Sequence, residues 1–122
     1  MSSSPDPTPR RLADLALHDC PLDRVTLDFA GRALHLHISQ YHEVRQDYEA
    51  YELIFRDVQN LSWTQLHEFP YGDDLEISSY AETTHATGLM LSFVLLTGPG
   101  GPAQQLAFRC TGYEVRRPAA ID

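Results

Sequence analysis

Apolar and polar residues alternate along residues 24–38, which is the spacing of a half-buried β-strand. Val25, Leu27 and Phe29 share one face of the first run, because successive side chains of a strand point to opposite sides. Gly31 interrupts the alternation where a tight turn would lie. Residues 24–38 are therefore predicted to form a β-hairpin, whose return strand has apolar residues at Leu34, Leu36 and Ile38.

The same period of two recurs through the rest of the chain, in runs separated by turn-forming residues. Only residues 10–18 have helical spacing, and they allow one or two turns before Pro21 ends the helix. Residues 41–48 are polar and are predicted to form a loop. The remaining predicted strands are residues 49–56, 60–66, 75–81, 89–97 and 105–116.

These elements predict a mostly β protein, either an antiparallel β-sandwich or a strongly curved sheet of about seven strands with one short N-terminal helix. A chain of 122 residues has the size of one domain, and we assign residues 10–117 to a single β domain. The Ser- and Pro-rich residues 1–9 are predicted to be a disordered tail, and residues 118–122 a frayed tail.

The charge balance is acidic: nine basic residues, all of them Arg, stand against seventeen Asp and Glu, and the formal net charge is −8. An acidic surface repels phosphate, so nucleic acids and anionic membranes are disfavoured as partners. A basic protein partner is compatible with this charge. The simpler explanation, that net charge keeps the protein soluble, remains open.

The beginning of the chain lacks the apolar stretch of a signal peptide, and no apolar run reaches the roughly 18 residues of a membrane helix. We therefore expect a cytoplasmic protein. In that compartment Cys20 and Cys110 would stay reduced, as two buried thiols rather than a disulfide.

His35 and His37 lie two residues apart on a predicted strand, so their imidazoles project from one face. Such a pair could ligate a metal ion, but a site needs further ligands. The simpler interpretation places both on the solvated face of the hairpin. Further ligands would have to come from His18, His42, His67 or His85.

His18, Asp19 and Cys20 place three reactive side chains in a row. Consecutive residues of an extended chain point in different directions, so the three cannot converge on one substrate. A structural role is favoured, in which Asp19 caps a turn, His18 bonds to the backbone and Cys20 is half-buried.

Acidic residues recur around residues 43–57 and 73–76. Paired carboxylates can perform acid–base chemistry or bind calcium, but the calcium-loop spacing is absent and a solvated acidic face is the commoner arrangement. The Gly- and Pro-rich residues 98–102 lack the Lys and the helix start of a phosphate loop. The sequence thus contains no catalytic, metal or nucleotide motif, and no cofactor is predicted.

The order of features resembles a known family. Leu17-His18-Asp19 precedes the first strand, and a run Tyr-Glu-Leu-Ile-Phe-Arg-Asp-Val-Gln-Asn-Leu occupies residues 51–61. Residues 74–77 read Asp-Leu-Glu-Ile, and the last strand contains Leu-Ala-Phe-Arg-Cys at residues 106–110. Over roughly residues 12–117 the chain resembles immunity protein family 50 of bacterial polymorphic toxin systems, in which an F/L-H-D element precedes the first strand and a Phe-x-Cys-like element lies in the last one.

This resemblance implies a non-enzymatic protein that binds and neutralises a toxin domain made by the same cell. A nuclease toxin presents cations to phosphate, and an acidic inhibitor could occupy that surface. Under this reading the partner would meet contact acids and aromatic anchors. The acids are Asp47, Glu49, Glu52, Asp73 and Asp74, and the anchors are Tyr41, Tyr48 and Tyr71.

Two alternatives stay open at the level of the sequence. One is a metal-binding or hydrolytic enzyme that uses His18, His35, His37 and nearby acids. The other is a structural or oligomer-forming β module, and either a monomer or a homodimer is compatible with the sequence.

Overall fold

Each alternating run of the sequence forms a strand in the computed structural model, which describes residues 10–18, 20–42, 44, 46–65, 75–97 and 103–117. The strands are antiparallel and belong to one sheet, so the predicted mostly β fold is confirmed. They are β1 (Cys20–Asp28), β2 (Ala33–His42), β3 (Asp47–Arg56), β4 (Gln59–Gln65), β5 (Leu75–His85), β6 (Gly88–Thr97), β7 (Ala103–Cys110) and β8 (Gly112–Arg116).

The strand order in the sheet is β4-β7-β6-β5-β1-β2-β3-β8. Two bends in the chain explain why β3 and β4, and likewise β7 and β8, are consecutive in sequence but far apart in this order. Asp57 and Val58 alone separate β3 from β4, and Thr111 alone separates β7 from β8. The register runs through both bends, with Arg56 opposite Gly112 in one ladder and Gln59 opposite Arg109 in the other. Two long strands therefore bend together and lead from one half of the sheet into the other.

The core lies between these two halves, β4-β7-β6-β5 and β1-β2-β3-β8. Phe55 of β3 packs edge-on against Phe108 of β7, with ring centroids 4.9 Å apart, and against Phe93 of β6 at 6.0 Å. These strands are not neighbours in the sheet, so the contacts require a sheet that curves strongly around one core. This is one of the two architectures that the sequence predicts.

The predicted N-terminal helix is a single 3-10 turn at Leu12–Asp14. Forming the first turn of an α-helix is unfavourable in free energy, and so short a stretch adds too few further hydrogen bonds to compensate. The turn is therefore held by tertiary contacts. The Tyr113 hydroxyl accepts a hydrogen bond from the Leu12 amide and donates one to Glu82, both at 3.1 Å. In the described parts of the chain, no helix is long and apolar enough to cross a membrane.

The predicted loop at residues 41–48 is wrong at both of its ends, because the hairpin ladder includes residues 41, 42, 47 and 48. β2 extends to His42 and β3 begins at Asp47, with Tyr41 opposite Tyr48. Tyrosine favours strands, and the packing of the two rings extends the pairing beyond the buried part of the sheet. A second difference is the division of the predicted strand 105–116 at Thr111, which makes eight strands among the described residues instead of about seven.

Several predicted segments lie outside the described residues. These are the two tails at 1–9 and 118–122, the turn at 69–74 and the connection at 98–102.

Candidate interaction site

The end of the β2–β3 hairpin carries exposed aromatic and aliphatic side chains. Tyr41 and Tyr48 face each other across the strand pair in an edge-to-face arrangement, with ring centroids 5.2 Å apart. They are 48% and 62% exposed, and Val44 in the connecting turn is 89% exposed. Paired tyrosines that remain this exposed do little for the core, whereas aromatic side chains are enriched in protein interfaces.

A groove of about 430 Å³ runs beside Tyr48. It is lined by Pro21–Asp23 of β1, by Ser39 of β2 and by Leu75 of β5. The Ser39 hydroxyl donates a hydrogen bond to Oδ2 of Asp23. Since a carboxylate has about four acceptor sites, Asp23 can still accept hydrogen bonds from a group that enters the groove.

The predicted contact acids of β3 do not form one patch. Asp47 is exposed at the hairpin end, next to Tyr48. Glu49 lies on the face of β3 that carries the buried Tyr51, where its Oε1 is 2.9 Å from Nε of Arg117. Glu52 lies on the opposite face, because it is three positions further along the strand and side chains alternate between the two faces.

Glu52 lies close to two imidazoles and one guanidinium. Its Oε2 is 3.0 Å from Nδ1 of His35 and 3.5 Å from Nε2 of His37, and its Oε1 is 3.9 Å from the Arg116 guanidinium. The two histidines lie on the outer face of the hairpin, as predicted, and they are half-buried there. Within the described residues no three His, Cys, Asp or Glu side chains are placed to hold a metal ion.

Three of the eight predicted partner-binding residues fall outside the described parts of the chain. They are Tyr71, Asp73 and Asp74; the same holds for Asp19 and His67.

The two cysteines are free and buried, as predicted. The Cys20 thiol donates a hydrogen bond to the Ser39 carbonyl oxygen at 3.1 Å. Burial, and secondarily the Asp23 carboxylate, raises the pKa of Cys20 to about 11. Burial also raises the pKa of Cys110. Both groups are therefore protonated thiols at neutral pH, which is the unreactive form.

His18 has the structural role that the sequence favours. Its Nδ1 lies 2.7 Å from the Ser78 carbonyl oxygen, the distance of a hydrogen bond from the ring to the backbone. The contact ties the segment before β1 to β5.

We expect alkaline pH to destabilise the protein in part through Cys20. The folded state keeps this thiol protonated up to a pKa of about 11, whereas the unfolded chain loses the proton near 9. Its stabilising contribution is thus complete below pH 9 and is lost as pH rises toward 11, by about 1 kcal/mol at pH 10. Urea unfolding of wild type and Cys20→Ala at pH 7 and pH 10 measures this pH-dependent loss of stability. The variant should lose less stability than wild type between the two pH values, and an equal loss in both would contradict the assignment.

Sequence reasoning missed the groove and its acid. Asp23 and Leu75 come together because Leu22 pairs with Leu75 across β1 and β5, a register set by residues more than fifty positions apart. No local pattern encodes that pairing. Val44, by contrast, could have been noticed as one apolar residue in an otherwise polar turn.

Comparison of the chain with protein-family models, with curated proteins and with solved structures finds no match. The resemblance to an immunity protein family therefore stays a prediction.

Proposed function

We propose that this protein is a non-enzymatic binding protein that holds a basic segment of a protein partner at the end of the β2–β3 hairpin. The observation that supports this most is the exposed Tyr41–Tyr48 pair beside the groove that contains Asp23. The proposal shares Tyr41, Tyr48 and Asp47 with the residues that the sequence predicts, and it adds Asp23 and Val44.

The chemistry of the groove favours a cationic side chain. An Arg or Lys that enters it would lie against the Tyr48 ring and reach the free acceptor positions of Asp23. A cation over an aromatic face is stabilised by the ring quadrupole, and a carboxylate adds a charge-assisted hydrogen bond. Val44 and Tyr41 would supply the apolar contact area around this anchor.

The net charge of −8 supports the same choice of partner, because opposite fields speed association of charged proteins. We propose a toxin domain of the same cell as this partner, and the cytoplasm as the place where the two meet.

The test is a binding titration with the purified product of a toxin-like gene beside the gene for this protein. Tyr48→Ala should weaken the complex by about 30-fold, the loss typical of a hot-spot aromatic. Asp23→Asn should slow association and reduce its dependence on salt between ~0.05 and ~0.3 M NaCl.

Phe29→Ala is the matched control. Phe29 is an aromatic residue that is 84% exposed in the turn between β1 and β2, at the other end of β2. Its removal should leave the affinity unchanged. Equal losses in Phe29→Ala and Tyr48→Ala, or the absence of a complex with a basic neighbouring product, would overturn the proposal.

A further inference from the structure

A second recess lies far from the hairpin end, where the bends of the two long strands meet the β5–β6 turn. It has a volume of about 330 Å³, near the lower end of the range for small-molecule sites. A recess of this size has room for a small organic molecule as well as for an ion. Its polar wall consists of Asp57, Gln59, His85, Thr87, Arg109 and Thr111.

Arg109 is the cation of this pocket. It is half-buried, and among the described residues no carboxylate lies within 4 Å of its guanidinium. Arg56, Arg116 and Arg117 differ from it, because each has a glutamate partner. In a protein with a net charge of −8, a half-buried guanidinium without a counterion is a binding group for an anion.

The other polar groups add to this preference. His85 and Thr87 line the pocket together with Arg109, and imidazole and hydroxyl groups can donate hydrogen bonds to an oxyanion. Asp57 is the acid of the pocket wall, and its Oδ2 already accepts a hydrogen bond from Thr111 Oγ1 at 2.9 Å. Its remaining acceptor positions would suit a hydroxyl group of a ligand.

The backbone around the pocket is fixed in uncommon conformations. Asp57 has φ of 53° and Asn60 has φ of 54°, in the left-handed region that non-glycine residues rarely adopt. Gly88 has φ of 150° and lies against the Cys110 carbonyl group. Asp57 and Gly88 line the pocket, so the surrounding fold holds this part of its wall in a defined conformation.

We propose that this pocket binds a small hydroxylated organic anion, a molecule of sugar size that carries a phosphate or carboxylate group. The anionic group lies at Arg109 and His85, and a hydroxyl group donates to Asp57. This inference does not depend on the proposed function, since no residue of the pocket belongs to the hairpin end.

Calorimetric titration of the full chain with four probes tests the proposal: ribose 5-phosphate, gluconate, ribose and inorganic phosphate. At least one of the first two should bind about tenfold more tightly than uncharged ribose and than inorganic phosphate, and the better of them identifies the anionic group. Arg109→Gln should weaken that binding by about tenfold or more, and Asp57→Asn should reduce the preference over inorganic phosphate.

Arg24→Gln is the control, because Arg24 is an exposed arginine of β1 on the other half of the sheet. Its affinity for the probe should equal that of wild type. The proposal is overturned if neither hydroxylated anion binds at ~10 mM, if inorganic phosphate binds equally well, or if the two arginine variants lose affinity to the same extent.

Discussion

Replacing Phe55 by alanine should lower the free energy of unfolding by about 3–5 kcal/mol, which is a large part of the stability of a domain of this size. The ring is fully buried and contacts three other aromatic rings, Phe93, Phe108 and Tyr113, on strands from both halves of the sheet. Its removal leaves a cavity where the halves meet, because three separate strands would have to move to fill it. Urea unfolding followed by the fluorescence of Trp63 and by circular dichroism measures the loss.

Phe29→Ala is the control, because it removes the same aromatic ring from an exposed position. It should change the free energy of unfolding by no more than about 0.5 kcal/mol. Phe55→Leu keeps the site apolar and guards against a variant that does not fold; we expect a loss intermediate between the other two. If Phe55→Ala were as mild as Phe29→Ala, the two halves of the sheet would not share the core described above.

Local patterns predict the strands well because one face of each is buried. Leu34, Leu36 and Ile38 alternate with polar residues since the sheet has one side toward the core and one toward water. The same reasoning fails at Tyr41, Asp47 and Tyr48, which are all exposed, so that no alternation of buried and exposed positions marks the strands there. There the pairing of Tyr41 with Tyr48 decides the structure, and such a cross-strand contact is not visible in a single run of sequence.

The candidate sites depend on strand pairings between residues that are even further apart in the sequence. Tyr41 and Tyr48 could be chosen from the sequence as aromatic anchors, but the groove beside them needs β5 to lie next to β1. Asp47, Glu49 and Glu52 are near one another in sequence, which is why they are predicted as contact acids of one surface. Because the side chains of a strand alternate between its two faces, Glu49 and Glu52 lie on opposite faces. Arg109, Asp57 and His85 come together because two strand bends and the β5–β6 turn meet at one end of the fold, which only the topology determines.

Replacing Gly88 by alanine should cost about 2–4 kcal/mol, unusually much for the addition of one methyl group. Gly88 begins β6 directly after the β5–β6 turn, and its φ of 150° belongs to a region that residues with a Cβ rarely adopt. A Cβ at this position would also overlap the carbonyl oxygen of Cys110, which is backbone of the neighbouring strand and cannot rotate away as a side chain could. The first pairs of the β6–β7 ladder would have to open to make room, so we expect thermal unfolding to shift down by several degrees or more.

Gly112→Ala separates this clash from the general effect of replacing glycine. Gly112 begins β8 at the other side of the bend, has an ordinary φ, and would present its new methyl group to open space. The substitution should therefore be neutral or slightly stabilising, since alanine reduces the entropy of the unfolded chain. Because Gly88 also lines the pocket of Arg109, the Gly88→Ala protein should lose affinity for the better of the two hydroxylated anions together with stability, whereas Gly112→Ala should keep both. Similar thermal midpoints for the two variants would mean that the start of β6 has the freedom to move away from β7, and the pocket wall would then not be fixed before a ligand binds.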